Sequence, residues 1–154
     1  MKIVTHDGTF HTDEVFAIAL IKKFVTSKVE VIRTRDENIL EEAKEDKNTF
    51  VIDVGSNSGV LLDAFKSKEM RVLGIEPSSK LANAAIKKGI DSIIEFFSNK
   101  LVKKILDKYG KVSIITGTNV FAHIDDLDDF MITADSLLVE DGIIVIEAPY
   151  LLHL

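Results

Sequence analysis

The stretch that most constrains the fold is Phe50 to Gly59, FVIDVGSNSG, where a short apolar run passes directly into a turn bracketed by two glycines. Phe50, Val51, Ile52 and Val54 suit a strand buried on both faces, Asp53 stands near its carboxyl end, and Gly55 and Gly59 enclose Ser56, Asn57 and Ser58. In a parallel α/β sheet, ligands sit at the carboxyl ends of the strands, because helix N-termini and unpaired backbone N–H groups converge there. The spacing is Asp-x-Gly-x-x-x-Gly and not the Gly-x-Gly-x-x-Gly of dinucleotide folds, so alone it names no ligand. Glu76, at the end of the next predicted strand and about 20 residues on, adds a carboxylate able to accept hydrogen bonds from both hydroxyls of a ribose. The plainer alternative is that Gly55 only turns the chain and Glu76 caps the helix after Pro77.

The flanking pattern sets this turn in an alternation of strands and helices. Before it, Lys2 to Thr5 reads as a strand, His6 to Thr9 as a polar turn, and Asp13 to Val25 as a helix with Val15, Phe16, Ile18, Ala19, Leu20 and Ile21 on its apolar face. Lys28 to Arg33 alternates as a strand and Asp36 to Lys47 reads as a charged surface helix. After the turn, helices are predicted over Gly59 to Ser67, Ser79 to Lys88, Asn99 to Lys108 and Asp125 to Leu138. Strands are predicted over Arg71 to Ile75, Val112 to Thr116 and Gly142 to Glu147, with a short strand and a turn within Ile90 to Phe97. The reading is a single-domain, three-layer, Rossmann-like α/β protein with a mostly parallel sheet of about seven strands. Residues 1–49 form a βαβα segment and 50–154 the core, and the polar stretch Glu45 to Thr49 is the strongest boundary candidate.

Composition narrows the function classes. The chain has 154 residues, 46% of them hydrophobic and 29% charged, which is enough for one domain with a real core. A formal charge of −6 argues against a nonspecific grip on nucleic-acid backbone. With no cysteine there is neither a disulfide framework nor a thiolate metal site, and no basic-then-apolar leader opens the sequence, so a cytoplasmic location is the expectation. Apolar runs such as Val15 to Ile21 and Gly142 to Ala148 fall short of the roughly 20 residues a bilayer span needs, so no membrane partner is expected.

VIDVGSNSGVLLDAF, RVLGIEPSSKLANAAIKKGI, IIEFF, ITGTNVFAHIDDLDDF and GIIVIEAPYL, in that order, resemble the S-adenosylmethionine-dependent C-methyltransferases that act on nucleotide-linked deoxysugars. The resemblance covers about Asn48 to Leu154. It implies that Asp53, Gly55 and Asn57 face the methionine end of the cofactor, that Gly59 belongs to the same cofactor-binding turn, that Glu76 holds the ribose, and that Phe96 and Phe97 lie near the adenine. Asn119 and His123 would border the site where the methyl group is passed to a small-molecule acceptor, such as a nucleotide-linked sugar. A sulfonium is served by carboxylates and carbonyl dipoles, and transfer by in-line positioning. His123 sits among apolar Phe121, Ala122 and Ile124, which also suits a packing role. The acidic run Asp125, Asp126, Asp128 and Asp129 would raise its affinity for a proton and make it a candidate general base. The family carries a cysteine-rich amino-terminal region and a longer carboxyl-terminal half that the matched motifs do not include, so cofactor binding is better supported than turnover.

The amino-terminal third resembles a different family, the MYG1-type proteins related to the DHH phosphoesterases. The residues are THDGTFHTDE (Thr5 to Glu14), VEVIRTRD (Val29 to Asp36) and VIDVG (Val51 to Gly55). This implies His6, His11, Asp13 and Asp53 as ligands of a divalent metal, manganese or magnesium, in a phosphoester hydrolase or nuclease; the Asp-His-His segment that completes such a shell is not found. Alternatively His6 and His11 are loop residues and Asp13 begins a helix. Because the two resemblances overlap on VIDVG, a third reading is an inactive chimeric or designed protein. The overlap also sets a physical conflict, since a strand has two edges and the two families together offer Phe50 to Val54 three neighbours. The larger block is expected to prevail, moving the strands at Lys2 and Val29 to the outer edge beside Gly142 to Glu147.

Overall fold

A computed structural model describes residues 2–5, 30–33 and 48–147. The turn at His6 to Thr9 and the helices expected over Asp13 to Val25 and Asp36 to Lys47 lie outside the described residues. The elements, in order, are β1 (Lys2–Thr5), β2 (Glu30–Arg33), β3 (Phe50–Val54), α1 (Val60–Ser67), β4 (Arg71–Ile75), α2 (Ser79–Lys87) and β5 (Ser92–Ile93). They continue with a 3-10 turn (Asn99–Leu101), α3 (Val102–Tyr109), β6 (Val112–Thr118), a second 3-10 turn (Phe121–His123), α4 (Leu127–Leu137) and β7 (Leu138–Glu147).

The described strands form one parallel sheet in the order β2-β1-β7-β6-β3-β4-β5. β3 is flanked by β4 and β6, so both of its edges are taken, and β1 lies against β7 with Lys2 opposite Ile143. The edge conflict is thus resolved in favour of the block after Asn48, and β1 and β2 extend the β7 side of the sheet.

Alternation along β3 separates two cores. Phe50, Ile52 and Val54 pack with Leu73, Ile75, Leu101, Ile105, Phe130, Ala134 and Leu137 on the face covered by α3 and α4. Val51 packs with Leu62, Ala85, Ile90 and Ile114 on the face covered by α1 and α2. All five residues of β3 are buried, which is why the strand reads as a continuous apolar run and not as alternation.

Several boundaries differ from the expectation; the strand expected over Val112 to Thr116 runs on to Thr118, and three other differences have a local cause. The helix predicted over Asp125 to Leu138 begins at Leu127, because the Asp126 side chain accepts the Asp129 backbone N–H at 2.9 Å and so takes the N-cap position. The last strand begins at Leu138, not Gly142: Val112 pairs with Leu138 and Ile114 with Ile143, so β7 bulges past β6 through Glu140-Asp141-Gly142, a tripeptide that reads as a turn. The helix expected from Asn99 opens as a 3-10 turn before becoming α-helical at Val102.

Candidate functional site

The carboxyl ends of β3, β4 and β6 meet at the turn leaving β3. Gly55 (φ 70°) donates its N–H to the Ile75 carbonyl at 2.8 Å, folding the turn back over the end of β4. An ideal Cβ at Gly55 would collide with the Val120 side chain, so both the positive φ and this close approach require glycine. Asn57 (φ 50°) is also left-handed; its side chain donates to the Gly55 carbonyl at 3.2 Å and holds the turn closed. Gly59 (φ 75°) starts α1 at a point where a Cβ would lie 2.7 Å from Ile90 Cδ1.

Two buried carboxylates face this turn. Glu76, 6% exposed, accepts the Asn57 N–H at 3.0 Å on Oε2 and the Ser78 N–H at 2.8 Å on Oε1. It therefore bridges the β3 turn to the start of α2. Each oxygen still has a lone pair free, so the carboxylate can cap the local backbone and also accept two hydroxyls. Asp53, 3% exposed, lies opposite Thr116 in the β3–β6 ladder and accepts its hydroxyl proton at 2.7 Å. Burial pushes the Asp53 carboxyl up to about 6; the Thr116 hydrogen bond works against that rise, and the negative charge of Glu76 adds to it.

The remaining candidates separate. Asn119 (φ 55°) is exposed just past the end of β6, and His123 is exposed at the end of the following 3-10 turn. Phe96 is 77% exposed, whereas Phe97 turns inward and meets Phe130 with ring centroids 4.9 Å apart. The structure thus brings Asp53, Gly55, Asn57, Gly59 and Glu76 together. His6, His11 and Asp13 lie outside the described residues, and among the described residues no group of three or more potential metal-binding side chains occurs.

Sequence reasoning missed Thr116, Val120 and Ser56. Thr116 and Val120 come from a distant strand and its loop, and only the register Asp53 opposite Thr116 could have pointed to them. Ser56 is 3% exposed with no partner for its hydroxyl, which lies against Gly74. Away from this site, a groove of about 290 Å³ is lined by Phe50, Lys66, Arg71, Asp91 and Tyr109 at the opposite end of the sheet. Its cations already serve carbonyls at or just past helix ends, Lys66 on Gly89 at 2.7 Å and Arg71 on Tyr109 at 2.6 Å.

A glycine turn leaves a central strand of a Rossmann-like parallel sheet, with the buried Glu76 carboxylate at the end of the adjacent strand. The chain belongs to the family described as "Methyltransferase domain", which matches residues 52–146. It is 33% identical over 104 residues to the C-methyltransferase NovU of Streptomyces niveus, covering 68% of this chain and 25% of that protein's length. The fold is shared with a SAM-dependent methyltransferase from Archaeoglobus fulgidus (TM-score 0.60, 15% identity, 87% of this chain and 58% of that one). It is also shared with one from Geobacter sulfurreducens in complex with S-adenosyl-L-homocysteine (TM-score 0.53, 19% identity, 71% of this chain and 45% of that one). Residues 2–64 match a second family, described as uncharacterised (UPF0160). The MYG1 protein of Dictyostelium discoideum is 40% identical over 57 residues, 36% of this chain and 16% of that protein. The two family matches overlap on residues 52–64.

Proposed function

We propose that this chain is the S-adenosylmethionine-binding core of a methyltransferase acting on a small molecule, of the kind that methylates carbon on a nucleotide-linked sugar. One observation carries the reading: Glu76 reaches across from β4 to the Asn57 N–H in the β3 turn at 3.0 Å, with acceptor capacity to spare on both oxygens. When bound, the cofactor supplies an electrophilic methyl group on a sulfonium. The donor set suits it, since Glu76 would accept from the ribose hydroxyls and Asp53, Gly55, Asn57 and Gly59 would surround the methionine end with a carboxylate and backbone dipoles. The turn Gly55 to Gly59 itself contains neither Lys nor Arg, and the one ammonium hydrogen-bonded to it among the described residues, Lys88, donates to the Ser58 carbonyl at 3.0 Å. Phe96, exposed, is free to cover the adenine, while Phe97 supports that loop from beneath. Asn119 and His123 would border the acceptor, His123 as a base that takes a proton from the acceptor carbon, and the chain's work at that step is to align the reacting atoms.

Calorimetry with S-adenosylhomocysteine tests this. Binding is expected in the parent and should weaken about ten- to a hundredfold in Glu76→Gln, the scale of a hydrogen bond to a charged group. Equal affinity in the two proteins would refute the ribose role, and no heat in the parent would refute the cofactor.

A second reading rests on the likeness of residues 2–64 to the MYG1 proteins: a phosphoester hydrolase using manganese or magnesium held by His6, His11, Asp13 and Asp53. Manganese-dependent phosphodiesterase activity that disappears in Asp13→Ala would favour it. Silence in both assays would favour an inactive chimera of the two families.

A further inference from the structure

Two loops leave the sheet on either side of the cradle, one after β5 and one after β6, and both rest on the same side chain. Phe130, in the first turn of α4 and 3% exposed, has its ring 4.9 Å from that of Phe97 and 5.7 Å from that of Phe121. The Phe97 pair is tilted at 57° and the Phe121 pair is edge-on at 85°. Both are geometries that aromatic quadrupoles favour. Phe97 belongs to the loop after β5 and Phe121 to the 3-10 turn after β6; in the sheet these strands flank the β3–β4 pair that builds the cradle.

Two further contacts fix the same relation. The carboxylate of Asp129, next to Phe130, accepts the Asn99 N–H at 3.2 Å on one oxygen and 3.4 Å on the other, tying the β5 side to α4 a second time. On the other side, Val120 precedes Phe121 and its methyl group fills the space a Gly55 side chain would need. A displacement of Phe121 therefore moves Val120 over the glycine turn, and moves Asn119 and His123 with it.

Resting on the cofactor reading above, we propose that Phe130 is a positioning residue: it transmits closure of the Phe96–Phe97 loop over bound nucleoside to the Asn119–His123 loop that would receive the acceptor. A close-packed aromatic cluster does not absorb such a displacement by compression, so a shift of one ring is passed to the next. Cofactor binding thereby orders the acceptor side before the acceptor arrives.

The chain has no cysteine, so Ala122→Cys, exposed between Phe121 and His123, accepts a single environment-sensitive fluorophore. S-Adenosylhomocysteine is titrated by calorimetry and by fluorescence in the labelled protein and in three further variants. The labelled parent should give both heat and a fluorescence change. In Phe130→Leu the affinity should fall about two- to thirtyfold, with the fluorescence change largely lost. Phe121→Leu, which empties less of the core, should keep the affinity and lose the fluorescence change; it decides the question if Phe130→Leu does not fold. Leu137→Ala, at the far end of α4, should lower the melting temperature yet preserve both signals, which a purely structural role for Phe130 would not predict. Heat without a fluorescence change in the parent overturns the coupling. An undiminished change in Phe121→Leu also overturns it, since the signal would then pass through Val120 alone, and leaves the cofactor reading standing. Absence of heat in the parent overturns both.

Discussion

A carboxyl group at Asp53 raised to about 6 from an ordinary 3.8 is a statement about stability as well as about charge. Between those values the unfolded chain gives up the proton while the folded chain keeps it, so the folded state binds more protons and stability falls as pH rises. The penalty is absent below about pH 4 and complete above about pH 6, and amounts to roughly 3 kcal/mol. Asp53→Asn should therefore gain stability relative to the parent as pH is raised from 4 to 7, measured by urea unfolding at each pH. A difference independent of pH would show that the site does not hold the proton. At Gly55, alanine meets both a left-handed φ and the Val120 methyl. Gly55→Ala should lower unfolding free energy by about 1–3 kcal/mol and weaken S-adenosylhomocysteine binding along with it. The placing of Asp53, Gly55 and Glu76 at neighbouring strand ends was legible in the sequence, because it follows from two consecutive strands and the turn between strand and helix. Thr116 and Val120 were not, because a side chain that arrives from another strand leaves no local mark.

At the scale of elements, α4 is buried along one face from Phe130 to Leu137, and its first turn also carries its cap and a link to the neighbouring segment. Asp126 caps it, Asp129 holds the neighbouring segment, and Phe130 and Met131 enter the core. Asp126→Ala should cost about 0.5–2 kcal/mol in chemical denaturation, the usual value of an N-cap. If Asp126 contributes nothing, the 3-10 turn before it and not the cap defines where the helix begins. Most element identities were legible from periodicity and from the Gly and Pro residues between them. The start of β7 was not, because Glu140-Asp141-Gly142 has turn composition but is carried in the strand as a bulge; the pairing of Leu138 with Val112 outweighs local preference.

For the whole molecule, sheet order predicts where opening is most costly. β3 and β6 are buried in the middle of the sheet, whereas β2 and β5 stand at its ends. Hydrogen exchange should be slowest in the amides of β3 and β6 and faster by orders of magnitude in β5 and β2. Uniform protection would mean that the amino-terminal strands and the core open as one unit. No helix among the described residues is long and apolar enough to cross a membrane.

The alternation of strands and helices, the glycine turn after β3 and the carboxylate after β4 were determined by the sequence alone, because each depends on residues close together in the chain. Two family matches also overlap there, on residues 52–64, which include the end of β3. Which neighbours that strand keeps was decided only in the tertiary structure, since hydrogen-bonding edges are limited to two and every strand competes for them. The same assembly set Thr116 against Asp53 and joined two loops through Phe130. Those contacts depend on register and packing between distant segments, which no local pattern encodes.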